Sequence, residues 1–150
     1  MRRRAIALTV LLAAGCGGSR AQVMPGEDFK RYKTAYVEAL EKDDYSLYSQ
    51  VVAGLMQLGL DVHGGAPTRP VSTDMLVKFT YRGGWNAGLV HPREFQVTFT
   101  DALSGRVVAT AGTSAGATWP SHETRVESAF RKLRQQLGYD PAQPQPEPTK

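Results

Sequence analysis

The sequence has a single cysteine, Cys16, and so has neither an intramolecular disulfide nor a thiolate metal cage. Its longest apolar run, Ala5 to Ala14 with only Thr9 polar, is too short to span a bilayer. Ten helical residues reach about 15 Å, half the thickness of a hydrocarbon core. No acidic residue precedes Glu27, and no internal repeat is present. His63, His91 and His122 are never three or four residues apart, and neither H-E-x-x-H nor G-x-x-x-x-G-K occurs. These absences argue against a polytopic membrane protein, a helical zinc site and a phosphate-cradling loop. The 150 residues suit one small domain.

The formal charge of +4 is misleading. Three of the 18 basic residues are Arg2, Arg3 and Arg4; without them, positive residues nearly balance the 14 acidic ones. A nucleic-acid partner needs a basic stripe on the folded surface, so none is expected. The basic residues instead open a tripartite layout: Met1–Arg4, the apolar run, then small residues through Gly18. That is the form of an export signal. Leu12-Ala13-Ala14-Gly15-Cys16 resembles the bacterial lipobox, in which the thiol receives a diacylglyceryl group and becomes the mature N-terminus. The usual apolar residue three places before the cysteine is Ala13, with Leu12 one place earlier. The resemblance implies lipidation at Cys16, and Gly17 in place of aspartate implies sorting to the outer membrane, on its periplasmic side. The alternative is plain secretion with cleavage after Ser19-Arg20-Ala21, which would discard Cys16.

The expected organisation is a signal peptide at 1–15, a lipidated cysteine and flexible tether at 16–26, a folded domain at 27–138 and a proline-rich tail at 139–150. Within the domain, Phe29, Tyr32, Tyr36 and Leu40 fit helical spacing, while Ala35, Val37 and Ala39 fit a strand. Asp43 or Asp44 can cap a helix whose apolar stripe is Tyr48, Val51, Val52, Leu55 and Met56, stopped by Gly59. Leu60 to His63 is a short strand. Met75, Val77, Phe79 and Tyr81 then alternate with polar neighbours, as do Phe95, Val97 and Phe99. Gly83-Gly84 interrupts the first of these strands. Asp101 to Arg106 is turn chemistry, and Val107 to Ala111 is the return strand. A last helix starts at Ser121, carries Val126, Ala129, Phe130, Leu133 and Leu137 on one side and stops at Gly138. The expected fold is α+β: a largely antiparallel sheet of four to five strands with two amphipathic helices on one face.

Three stretches carry a resemblance. Asp28-Phe29-Lys30-Arg31-Tyr32-Lys33-Thr34 is similar to a D-F-x-x-Y-x-T opening, Thr73-Asp74-Met75-Leu76-Val77-Lys78-Phe79 to an A-D-x-L-V-x-Y strand, and Asp101-Ala102-Leu103-Ser104-Gly105-Arg106-Val107-Val108 to a D-x-x-T/S-G-x-x-V hairpin. In this order they resemble a family of small bacterial lipoproteins of unknown function. The resemblance implies that the first segment is a strand and that the domain is periplasmic and α+β. It implies no catalytic residue.

Gly112-Thr113-Ser114-Ala115-Gly116 matches G-x-S-x-G, but a nucleophile elbow needs a helix at once, and Ala117 to Pro120 intervene. No acid lies between Ser114 and His122, the only later histidine. No catalytic residue, metal or cofactor is therefore expected. If the strand at Asp74 runs up, loops 83–93 and 112–120 share its upper end. Trp85, His91, Trp119 and His122 would then form a recognition patch or plug the end of the core. The functional expectation is a non-enzymatic, membrane-anchored envelope lipoprotein presenting a binding or structural domain. Its partner is expected to be another envelope protein or a cell-wall polymer. The alternative is a secreted soluble protein that binds a small ligand through Trp85 and Trp119 or acts as a hydrolase through Ser114.

Overall fold

The alternating segments build the centre of the sheet. A computed structural model describes residues 18–43, 45–64, 73–86, 89–114 and 122–139. In chain order the elements are β1 (Ser19–Val23), β2 (Thr34–Val37), α1 (Leu47–Met56), β3 (Asp61–Gly64), β4 (Met75–Asn86), β5 (Leu89–Asp101), β6 (Val107–Thr113) and α2 (His122–Gln136). A 3-10 turn, Phe29–Arg31, precedes β2. The protein is α+β; among the described residues it has two α-helices, and the strands lie in the order β1-β6-β5-β4-β2-β3.

Two expectations about the sheet need correction. Among the described residues it has six strands, and it is mixed: β2 runs parallel to both β3 and β4. The parallel pair follows from connectivity, because β2, α1 and β3 form a crossover, which returns the chain in the same direction. The extra strand is β1, in the stretch expected to be a flexible tether; it pairs antiparallel with β6 from Ser19↔Thr113 to Val23↔Ala109. Its inward side is only Ser19, Ala21 and Val23, too weakly apolar to register as a strand pattern.

Met75, Val77 and Phe79 face the helices beside Phe95, Val97 and Phe99 and then Ala109 and Ala111, all buried. Lys78, Thr80 and Gln96 are exposed on the other face. Gly83-Gly84 does not end β4; the ladder continues to Asn86↔Leu89 after a register shift between Arg82 and Gly83. Glycine inside a strand marks a bulge as readily as an end.

Asp43 caps α1, accepting from the Leu47 and Tyr48 N–H groups at 2.8 Å each. Leu47, Val51, Gly54 and Leu55 are its buried positions, whereas Met56, expected in the stripe, is 59% exposed. Met56 lies five positions after Val51, on the opposite side of a helix with 3.6 residues per turn. The helix closes with Gly59 at φ +78°; the Gly59 N–H donates to the Met56 carbonyl and the Leu60 N–H to the Leu55 carbonyl. This paired closure needs a left-handed residue, which glycine adopts without strain. α2 buries Val126, Ala129, Phe130 and Leu133, as its stripe requires. Tyr139, assigned to the tail by its sequence, belongs to the fold: its hydroxyl donates to the Leu58 carbonyl at 3.3 Å, and Lys30 Nζ lies 5.1 Å from its ring centroid. The remainder of the expected tail, 140–150, lies outside the described residues.

Candidate functional site

The sheet has two ends of different chemistry. The three family-like stretches meet at one of them, around the β5–β6 turn. There each motif aspartate holds backbone. The Asp28 carboxylate accepts from the Lys30 N–H at 3.0 Å. Asp74 accepts from the Lys33 and Thr34 N–H groups at 2.9 and 3.0 Å, and its own N–H donates to Thr34 Oγ1. Asp101 Oδ1 accepts from the Leu103 and Ser104 N–H groups and the Ser104 hydroxyl, while Oδ2 accepts from the Tyr32 hydroxyl and Arg31, both at 2.9 Å.

Glu27 completes a balanced set of two cations and two anions: its carboxylate is 2.8 Å from Arg106 and 3.6 Å from Arg31. The Ser104 backbone N–H first, then the Tyr32 hydroxyl, holds the Asp101 carboxyl well below the usual carboxylate range. The Lys33 and then the Thr34 N–H lower Asp74 in the same way. Burial pushes the Tyr32 phenol up. Each of these carboxylates is engaged by the protein itself, so this cluster fastens the turn, the 3-10 turn and the start of β2 together.

The opposite end holds those sequence-derived candidates that fall among the described residues. Trp85 and His91 lie in the outer part of the β4–β5 ladder, where Trp85 pairs with Val90 and Gly84 with His91, rather than in the loop expected from Gly83 to Arg93. The register brings these two positions side by side. His122 opens α2, whose other end lies near the acidic cluster through Tyr139 and Lys30. Cys16 and Trp119 lie outside the described residues. Ser114 follows β6 directly. Its hydroxyl accepts from the Gly18 N–H at 3.3 Å and donates to the Gly18 carbonyl at 3.4 Å, and its own N–H donates to the same carbonyl. The G-x-S-x-G serine thus latches the start of β1.

The sheet carries a further feature that local sequence pattern does not show. The exposed sheet face carries two shallow polar grooves that share Arg20 and Gln96, one extending to Gln22 and Thr110, the other to Thr80, Arg82 and Glu94. Gly112 lies between Arg20 and Gln96 in the register and adds no side chain there. Arg20 was hidden by its assignment to a tether, and cross-strand neighbours cannot be read before the register is known. Among the described residues no group of three or more His, Cys, Asp and Glu side chains could hold a metal, and no helix is long and apolar enough to cross a membrane.

The fold is similar to that of PelC. PelC from Paraburkholderia phytofirmans, a dodecamer, superposes with a TM-score of 0.55 at 20% identity over 81% of this chain and 98% of that one. A single-substitution variant of the PelC dodecamer gives 0.53 at 19% identity, over 78% and 95%. A PDZ domain protein from Parabacteroides distasonis gives 0.50 at 13% identity, over 81% of this chain and 34% of that one. At these identities the likeness is one of fold. No protein-family model and no curated protein sequence matches the chain.

Proposed function

We propose that the chain is a non-enzymatic envelope lipoprotein, acylated at Cys16 and held on the periplasmic side of the outer membrane, whose α+β domain serves as a binding or structural module. The observation that carries this reading is the position of β1. Ser19–Val23 pairs along its whole length with β6, and Ser114 latches Gly18 just before it. Cleavage after Ala21, as plain secretion requires, would cut this strand in its middle and remove Gly18. Cleavage before Cys16 leaves it whole. The satisfied acidic cluster also favours a structural role over a catalytic one. The domain's partner would be another envelope protein or a cell-wall polymer.

Mass spectrometry of the protein from the membrane fraction tests the anchor. The expected N-terminal peptide begins at an acylated Cys16. A soluble chain beginning at Gln22 overturns the reading. Crosslinking of the intact protein in cells tests assembly; only monomers, with sugar polymer captured instead, would favour the polymer.

A further inference from the structure

The register fixes how far each part of the sheet reaches toward the anchored end. Ser19 pairs with Thr113, Thr113 with Phe95 and Phe95 with Tyr81, so these four positions form one row across β1, β6, β5 and β4. One residue farther out lies the row of Gly18, Ser114, Glu94 and Arg82, because Ser114 bonds Gly18 and Arg82 pairs with Glu94. β1 and β6 have ended there, but the β4–β5 ladder continues through Gly83↔Pro92, Gly84↔His91, Trp85↔Val90 and Asn86↔Leu89. Four more residues of strand extend about 13 Å past the Gly18 row. Cys16 is two residues before Gly18 and reaches at most about 7 Å past it. The hairpin therefore overreaches the acylated residue by at least about 6 Å along the strands, a distance on the scale of the depth that interfacial segments occupy.

The composition of the overreaching part suits that depth. Residues 83–92, Gly-Gly-Trp-Asn-Ala-Gly-Leu-Val-His-Pro, include no Asp, Glu, Lys or Arg, and Arg82 and Arg93 flank them. Tryptophan is favoured at membrane–water interfaces, and flanking arginines suit anionic headgroups. The opposite end, with Glu27, Asp74, Asp101, Arg31 and Arg106, is dense in charge. Cys16 is two positions from Gly18, which the β1–β6 ladder and the Ser114 latch hold at the hairpin's end of the sheet, so acylation at Cys16 would favour turning this end to the lipid.

We propose that the outer end of the β4–β5 hairpin, around the Trp85↔Val90 and Asn86↔Leu89 pairs, is a second membrane contact that lies in the lipid interface beside the acyl anchor. The inference rests on acylation at Cys16, as proposed above. The test uses the full acylated protein in phosphatidylethanolamine–phosphatidylglycerol vesicles, with Trp119→Phe leaving Trp85 as the sole tryptophan. Spin-labelled lipids carry the quencher either at the headgroup or near the acyl terminus. The expected result is quenching at least about twofold stronger with the shallow label.

Amide exchange on the unsubstituted protein gives the same answer without a variant. Exchange should slow across 83–92 on vesicles relative to detergent and stay unchanged across the 101–106 turn. The N-terminal peptide mass is read from the same preparation. Acylated protein with unquenched Trp85 and unaltered exchange at 83–92 overturns the hairpin contact and leaves the anchor standing. An unmodified Cys16 overturns both.

Discussion

Gly54 is a buried glycine on α1, a place where helix propensity and packing make opposite demands. An added Cβ would stand 2.6, 2.7 and 2.8 Å from Cγ, Cδ2 and Cδ1 of Phe130. Carbon atoms pack best at about 3.5–4.0 Å, so the ring would have to retreat by about 1 Å. Close packing opposes that retreat: Phe130 is 1% exposed and packs edge-on against Phe99, which in turn packs edge-on against Phe29. Alanine in a helix interior gains about 1 kcal/mol over glycine by propensity alone. Overpacking a close-packed core costs about 1–3 kcal/mol, and three simultaneous short approaches put this site near the upper end.

Gly54→Ala should therefore destabilise the domain by about 1–2 kcal/mol net, a fall of several degrees in Tm. Urea unfolding followed by circular dichroism measures it. Phe130→Leu shrinks the obstacle, and combining the two substitutions should recover about 1 kcal/mol relative to the sum of the single effects. A Gly54→Ala variant more stable than the parent would refute the reasoning, because it would mean that the ring yields without cost and that propensity decides the sign.

Three further outcomes follow from the geometry. Asp43→Ala leaves the Leu47 and Tyr48 N–H groups without their cap and should cost about 1 kcal/mol in urea unfolding; an unchanged midpoint would show that water replaces the carboxylate fully. Gly112→Ala sets a methyl 2.5 Å from the Phe95 carbonyl oxygen, a backbone atom that cannot rotate away, and should destabilise by about 2 kcal/mol in the same assay. Asp101 and Asp74 have folded pKa values below their unfolded ones, so their stabilisation is complete above the unfolded value, near pH 4, and is lost as pH falls through the folded values. The Tm of the parent should thus drop on acidification below about pH 4, and the gap between the parent and Asp101→Asn should narrow over that range; a gap constant from pH 7 to pH 2 would refute the assignment.

The parts legible in the sequence are those where one local rule acts alone. The alternation in β4 and β5, the Asp43 cap, the stripe of α2 and the Gly59 and Gly138 closures each rest on residues a few positions apart. β1 was not legible, because Ser19, Ala21 and Val23 look apolar only beside Ala109 and Ala111, supplied from far along the chain. The mixed character of the sheet is hidden for a similar reason, since local spacing leaves β2 open between helix and strand and says nothing of the direction it shares with β3. For the candidate site, the pattern showed that Trp85 and His91 lie at one end. It mistook their strand for a loop because a glycine pair signals bulge and turn alike. The role of the motif aspartates was invisible: a carboxylate that caps backbone and one that does chemistry have the same letter, and only the partners at 2.7 to 3.0 Å distinguish them.

The same backbone contacts also bear on strand register. Asp28, Asp74 and Asp101 come from three distant parts of the chain, yet each accepts from backbone N–H groups at one end of the sheet. Such a set constrains where β2 starts, where β4 starts and how β5 turns into β6, and so fixes the register of the central strands. Register is what carries the β4–β5 ladder beyond the end of β6 at the far end. A slip by one residue would turn every core side chain of a strand outward, and would also alter how far the uncharged hairpin extends past Gly18. The acidic end would thus act on the proposed membrane contact through geometry alone. On this view substitutions at Asp74 or Asp101 reduce lipid contact only as far as they loosen the sheet, whereas substitutions near Trp85 alter lipid contact in a sheet that remains intact.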